Sequence, residues 1–259
     1  MKELKIIIRY SLNSFQTVLS NPIIFFLFLF SKIIRLGLFV MFLSFLFRGV
    51  SGLMGFSRDQ IIFFFLSFNL IDTIAQLMFR EVYRFRPLIV SGNFDFVLSK
   101  PVNPLIRVLF GGPDIIDVAM LFIILSVTAW FAICHFHPSS TSWLTYVLLI
   151  VNGLVISASF HILVLAIGIL TLSVDHLIMI YRDLTALMRI PVDLYIEPIR
   201  FILTFLIPLG IMLTFPAKAL LGLLSLQNIL FSFIFALSTL YLALKFWHFS
   251  LRHYSSASS

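Results

Sequence analysis

Long apolar runs alternate with short polar breaks along this chain, and the breaks set the element boundaries. Residues 2–19 place Leu4, Ile8, Leu12, Phe15 and Leu19 on one helical face and Lys2, Lys5, Arg9, Asn13 and Gln16 on the other. That period predicts an amphipathic helix over 1–20, lying on a membrane surface with its cations toward the head groups. Apolar runs then predict six spans: from Pro22 to about Phe47, Gln60 to Met78, the Gly111-Gly112-Pro113-Asp114 start to Phe136, Trp143 to Leu172, Phe201 to Phe215, and Asn228 to Trp247. A helical crossing takes about 20 residues. The fifth run is short and holds Pro208, so residues 216–226 are expected to dip back as a re-entrant segment.

Two polar stretches are long enough to be organised elements between spans, 79–111 and 174–200. The second carries Asp175, Arg182, Asp183, Arg189, Asp193, Glu197 and Arg200 and is read as a loop. Within the fourth run, Gly153, Ser157 and His161 recur every four residues and form a strip of one face where another helix can approach closely.

Composition moves this pattern from core helices to membrane spans. Of 259 residues, 61% are hydrophobic and 11% charged, with a mean hydropathy of +1.10. Globular domains carry about 25% charged residues, so bilayer rather than water is the solvent such a chain needs. The fold class expected is an all-α polytopic membrane protein forming one domain, 1–259, with no cleavable signal peptide. Cys134 is the sole cysteine, so no internal disulfide forms.

The net charge of +7 lies beside the apolar runs, which fits anchoring at anionic lipid rather than binding nucleic acid. Lys2, Lys5, Arg9, Arg80, Arg84, Arg86, Lys100, Arg107, Arg182, Arg189, Arg200, Lys245 and Arg252 all fall on one side of a six-span arrangement. Only Arg48, Arg58 and Lys218 fall on the other. The positive-inside rule then sets both termini, and the 79–111 and 174–200 segments, on the cytoplasmic side of a cell inner (plasma) membrane.

Ionisable residues inside spans are functional candidates by default. Lys32 and Arg35 sit three apart on one face, though their long stems can snorkel to the interface. Asp72 and His161 are intramembrane polar candidates, either for a proton path or for structural pairing. His135-x-His137 supplies two imidazoles where a metal needs three or four ligands, so no metal site is assigned. Glu81 and Asp95 have no sequence partner that would make an acid–base pair. No Gly-Lys pair occurs, so the chain has no phosphate-binding loop, and no nucleophile elbow is present.

The segment Val90-Ser-Gly-Asn-Phe-Asp-Phe-Val-Leu-Ser-Lys-Pro-Val-Asn-Pro-Leu105 resembles a motif that follows the second span in six-helix type-2 ATP-binding cassette (ABC) exporter permeases. Gly92, Asp95, Lys100, Pro101, Asn103, Pro104 and Leu105 match, while Asn93 stands where a glutamate is usual. A second match runs through Pro191-Val-Asp-Leu-Tyr-Ile-Glu-Pro-Ile-Arg200 to Pro208, then Phe215-Pro-Ala217 and Leu220-Leu-Gly222. The resemblance implies a non-catalytic export permease with an N-terminal elbow helix. It further implies a second permease subunit, identical or homologous, and a separate ATP-binding subunit that holds ATP and Mg. This chain itself would bind no cofactor. On that resemblance Gly92, Asp95, Lys100, Pro101, Asn103 and Pro104 form the segment that couples to the ATPase. An ion- or proton-coupled secondary transporter and a membrane-embedded enzyme are the alternatives. The abundance of phenylalanine suits an amphiphilic cargo, but lipid-facing rings explain it equally.

Overall fold

The computed structural model describes residues 15–16, 21–48 and 52–255. The surface helix expected over 1–20 therefore lies almost wholly outside the described residues. Helices dominate the remainder: α1 (Pro22–Leu46), α2 (Arg58–Phe79), α3 (Phe85–Val90), α4 (Phe94–Leu98), α5 (Pro104–Phe110), α6 (Ile115–Phe136), α7 (Ser140–Thr171), α8 (Val174–Leu187), a bent pair α9 (Ile199–Leu206) and α10 (Gly210–Leu220), and α11 (Leu226–Arg252). Among the described residues there is no strand beyond an isolated bridge, Leu53 to Phe56. Helices α1, α2, α6, α7 and α11 are each long and apolar enough to cross a bilayer, and the bent pair adds a sixth if it counts as one span. This is an all-α polytopic membrane protein.

Polar residues start these helices by accepting hydrogen bonds from otherwise unpaired N–H groups. Ser57 and Gln60 form a reciprocal capping box at α2. Asp114 caps α6 through Ile116 N, 3.0 Å away, so Pro113 stands just outside the helix rather than in its first turn. Ser139 and Ser225 cap α7 and α11.

Helix α2 is the centre of the bundle. Every residue from Ile61 to Phe68 is buried, and α1, α6, α7 and α10 pack around it. Helix α1 is the opposite case: it buries only Leu36 and Leu43 and presents Phe26, Phe30, Met41 and Phe45 outward. The phenylalanines thus serve both core and periphery. Lipid gives no hydrophobic drive for helix association, so close contact between small residues carries it. A Cβ on Gly153 would stand 2.5 Å from the Met212 carbonyl oxygen, which is where α10 crosses α7.

Two expectations need correcting. Residues 174–187 are not a loop; they form α8, which runs back along α7. Val174 packs on Gly168, and Tyr181 Oη shares a 3.0 Å hydrogen bond with Ser157 Oγ, eleven residues earlier in α7. The period that hid it is amphipathic: Val174, Ile178, Tyr181 and Thr185 are buried and Asp175, Arg182 and Asp183 are not. The fifth run is also not one straight helix. It bends by 81° between Leu206 and Gly210, ahead of the 216–226 segment. Pro208 lacks an N–H and pushes Ile207 into an extended conformation (φ −115°, ψ 88°), which ends α9. Asp193 Oδ1 and Lys218 Nζ of α10 meet at 2.8 Å, so the 174–200 stretch and Lys218, expected on opposite sides of the membrane, stand together.

Candidate functional site

Two polar assemblies stand out, a connector at one end of the bundle and a cavity within it. The connector begins where α2 ends. A 3₁₀ turn, Arg80–Arg84, leads into α3, and Gly92 reverses the chain with φ +72°, a left-handed conformation that a Cβ disfavours. Phe94 then plugs into the bundle, edge-on to Phe85 at 5.2 Å and to Tyr254 at 5.3 Å, beside buried Trp247 of α11. Asp95, in the first turn of α4, lies next to Tyr254; burial and this neighbouring carboxylate push the phenol up to about 12. Asn103 caps α5 by accepting from Leu105 N at 2.9 Å, and Pro104 occupies its first turn, where the missing N–H costs nothing. Lys100, Pro101 and Asn103 are exposed, together with Phe96 at 66% and Val90 at 54%. The connector is therefore anchored on one face and open on the other.

Its anchor is ionic as well as aromatic. Glu81, buried to 6% exposure, accepts from Arg107 Nη1 of α5 at 2.8 Å and pairs with Arg84 at 3.4 Å. Gly111 and Gly112 make room for this cluster: a Cβ on Gly112 would lie 2.6 Å from both Arg84 Nη1 and Glu81 Oε2. The neighbouring Arg80 reaches Asp114 at 3.5 Å and Asp117 at 4.0 Å, and buried Asp117 is hydrogen-bonded to Lys32 of α1. Local pattern does not reveal the main partner of Glu81, because Arg107 is 26 residues away, and it does not mark Asp117, because a carboxylate in a helix first turn is ordinary.

Lys32 opens onto the second assembly, a cavity of about 360 Å³ between α1, α2, α6 and α8. Asp72 lies in its wall and accepts from Gln76 Nε2 at 2.6 Å, in the electrostatic field of Arg35, Arg182 and Lys32. Asp183 and Arg189 also line it, with the Arg189 guanidinium 5.9 Å from the Phe39 ring centre. Along the chain these charges lie apart, as a pair able to snorkel on α1, an acid on α2 and a polar stretch after α7. Their convergence depends on α8 folding back, which no local pattern announces.

His161 is elsewhere. Its Nδ1–H donates to Ser157 O at 2.8 Å, and its ring packs between Phe79 at 4.9 Å and Tyr181 at 4.7 Å. No hydrogen bond or ion pair joins it to Asp72 among the described residues. His135 meets Asp59 at 3.0 Å, whereas His137 takes a left-handed φ of +46° at the end of α6. No group of three metal-ligand side chains gathers among the described residues.

Compared with known families, residues 33–258 match the family model described as ABC-2 family transporter protein. No curated protein and no solved structure matches the chain.

Proposed function

Because the chain belongs to the ABC-2 family of transporter proteins, we propose that this membrane permease is driven by a separate ATP-binding subunit that docks on the connector, and that it moves its cargo outward. The observation that carries the proposal is the two-faced connector. Phe94 and the Glu81 cluster fix one side to the bundle, while Phe96, Lys100, Pro101 and Asn103 face away from it. An exposed phenylalanine beside a cation and a proline is a surface suited to a protein partner. The partner supplies ATP and Mg; this chain supplies the translocation path and no catalysis. A second permease subunit, identical or homologous, completes the path. The membrane is the inner (plasma) membrane, with the connector and both termini cytoplasmic.

The mechanism is mechanical. Closure of the ATP-binding subunits pushes α4 and α5. The Arg107–Glu81 pair carries the push into the end of α2, and Arg80, through Asp114 and Asp117, carries it to α6 and to Lys32 of α1. Movement of α1 and α2 changes the cavity between them. Pro101 and Pro104 restrict φ and keep the α4–α5 junction stiff. An intact Glu81 cluster is thus required for coupling, beyond any role in docking.

The test is purification of the tagged chain from its native cell with an assay of ATP hydrolysis in the isolated complex. An ATPase co-purifies, and Phe96→Asp and Lys100→Glu reduce its recovery roughly tenfold or more, as hot-spot losses do. Hydrolysis by the chain alone, or a complex indifferent to both variants, overturns the reading.

A further inference from the structure

The cavity between α1, α2 and α8 holds three guanidinium groups that make no contact ion pair among the described residues. Arg35, Arg182 and Arg189 have no acceptor at hydrogen-bond distance and no carboxylate within ion-pair distance among the described residues, although Lys32 beside them is taken by Asp117. Arg182 on α8 and Arg189, two residues past the end of α8, line the cavity together with Arg35 of α1. Arg35 lies 13 residues into a 25-residue apolar helix, about 20 Å from its start. An arginine that deep ordinarily finds a partner. The carboxylates in the wall are not in contact with them: Asp72 feels Arg35 and Arg182 at a distance but is hydrogen-bonded to Gln76, and Asp183 pairs with none of the three. Counting every lining group, four cations face two carboxylates.

The apolar surroundings narrow the ligand. Phe39, Phe65 and Phe68 line the inner wall. On the outer side of α1 a second, shallower groove is lined by Ile34, Leu38 and Phe42 and shares Arg35 and Phe39 with the cavity. A head-sized polar chamber thus opens onto a tail-shaped apolar track, with an arginine at the junction.

We propose that this cavity binds the anionic head group of an amphiphile, an oxyanion such as a phosphate, with its hydrocarbon tail along α1. Arginine forks match phosphate and carboxylate oxygens two at a time, and the site offers three of them. Such an amphiphile comes either from the bilayer, as a structural lipid, or from the transported cargo; the recognition chemistry is the same. The cargo assignment rests on the permease reading, whereas the binding does not.

Dodecyl phosphate is the probe, titrated against the purified chain in dodecyl maltoside, with dodecyltrimethylammonium and inorganic phosphate as comparisons. Saturable binding of dodecyl phosphate alone is expected. The double variant Arg35→Gln/Arg182→Gln weakens it roughly ten- to a hundredfold, as losing charge-assisted hydrogen bonds does. Arg35→Lys/Arg182→Lys keeps the charge and retains more of the binding, and Arg252→Gln, outside the cavity, leaves it within about twofold. Full competition by phosphatidylglycerol but not phosphatidylcholine assigns the site to bilayer lipid; failure of phosphatidylglycerol to compete assigns it to cargo. Equal affinity of the Gln and wild-type proteins, each monodisperse by gel filtration, overturns the proposal, as does equal binding of the cationic surfactant. Because the measurement uses this chain without an ATPase, a negative result leaves the docking of a partner to be judged by its own assay.

Discussion

Glu81 shows how much one side chain can hold in this protein. It is nearly buried, yet it receives Arg107 at 2.8 Å and Arg84 at 3.4 Å. Removing one member of a buried pair strands the other's charge, at a cost of about 3–5 kcal/mol. Glu81→Gln is therefore expected to lower thermal stability in detergent, and Glu81→Gln/Arg107→Met to recover part of the loss, because the doubly neutral pair strands less charge. A double variant no more stable than the single one would show that the pair is not the unit. Gly92 is the second position where one atom matters. At φ +72° an L side chain costs about 1–2 kcal/mol. Gly92→Val is expected to loosen the connector while membrane insertion is kept, because Gly92 lies beyond α2. Limited proteolysis between α3 and α5 reads the difference. Of these residues, Gly92 was legible in the sequence, from its place in a turn-rich segment. Glu81 was not, since its tightest partner, Arg107, comes from a helix that is near only after folding, and only Arg84 is local.

Helices in this bundle are set by two kinds of signal, of unequal reach. Caps and apolar runs are local, and they place α2, α6, α7 and α11 within a few residues of expectation. The Gly153 strip was also legible, and α10 uses it. Adding one methyl group there drives a Cβ into backbone, so Gly153→Ala is expected to cost about 1–3 kcal/mol. The α8 helix was not legible as a helix because 14 amphipathic residues are too few to register as a span, and the 81° bend was not because a proline inside an apolar run fits either a kink or a reversal. Cross-linking tests the path of the chain through the bent pair. In a Cys134→Ser background, Asp193→Cys and Lys218→Cys are expected to join efficiently through a short bifunctional thiol reagent, as their ion pair at 2.8 Å implies. If the intervening 24 residues instead made a straight crossing, the two thiols would stand some 36 Å apart at 1.5 Å per residue, and no short reagent would join them.

At the scale of the whole molecule, the chain joins a widely exposed apolar helix, α1, to a densely packed centre, α2. The polar cavity lies along their contact and the connector hangs from the end of α2. That arrangement suits a permease whose connector is pushed from one side of the membrane. It predicts opposite accessibility for the two ends of α6: a cysteine at Lys100 should react only from the side where ATP is present, and one at His137 only from the other. Reaction of both from one side would remove α6 from the set of crossings. By itself the sequence determined the solvent, the all-helical class, most span boundaries and the family, because hydropathy, capping and motif spacing are properties of neighbouring residues. Tertiary structure alone decided that α8 packs back on α7, that Asp193 meets Lys218, that Glu81 meets Arg107, and that arginines from α1 and α8 share one cavity with Asp72. Each of those joins groups far apart in the chain. Their meeting is fixed by how helices pack in three dimensions, for which a one-dimensional pattern holds no local signal.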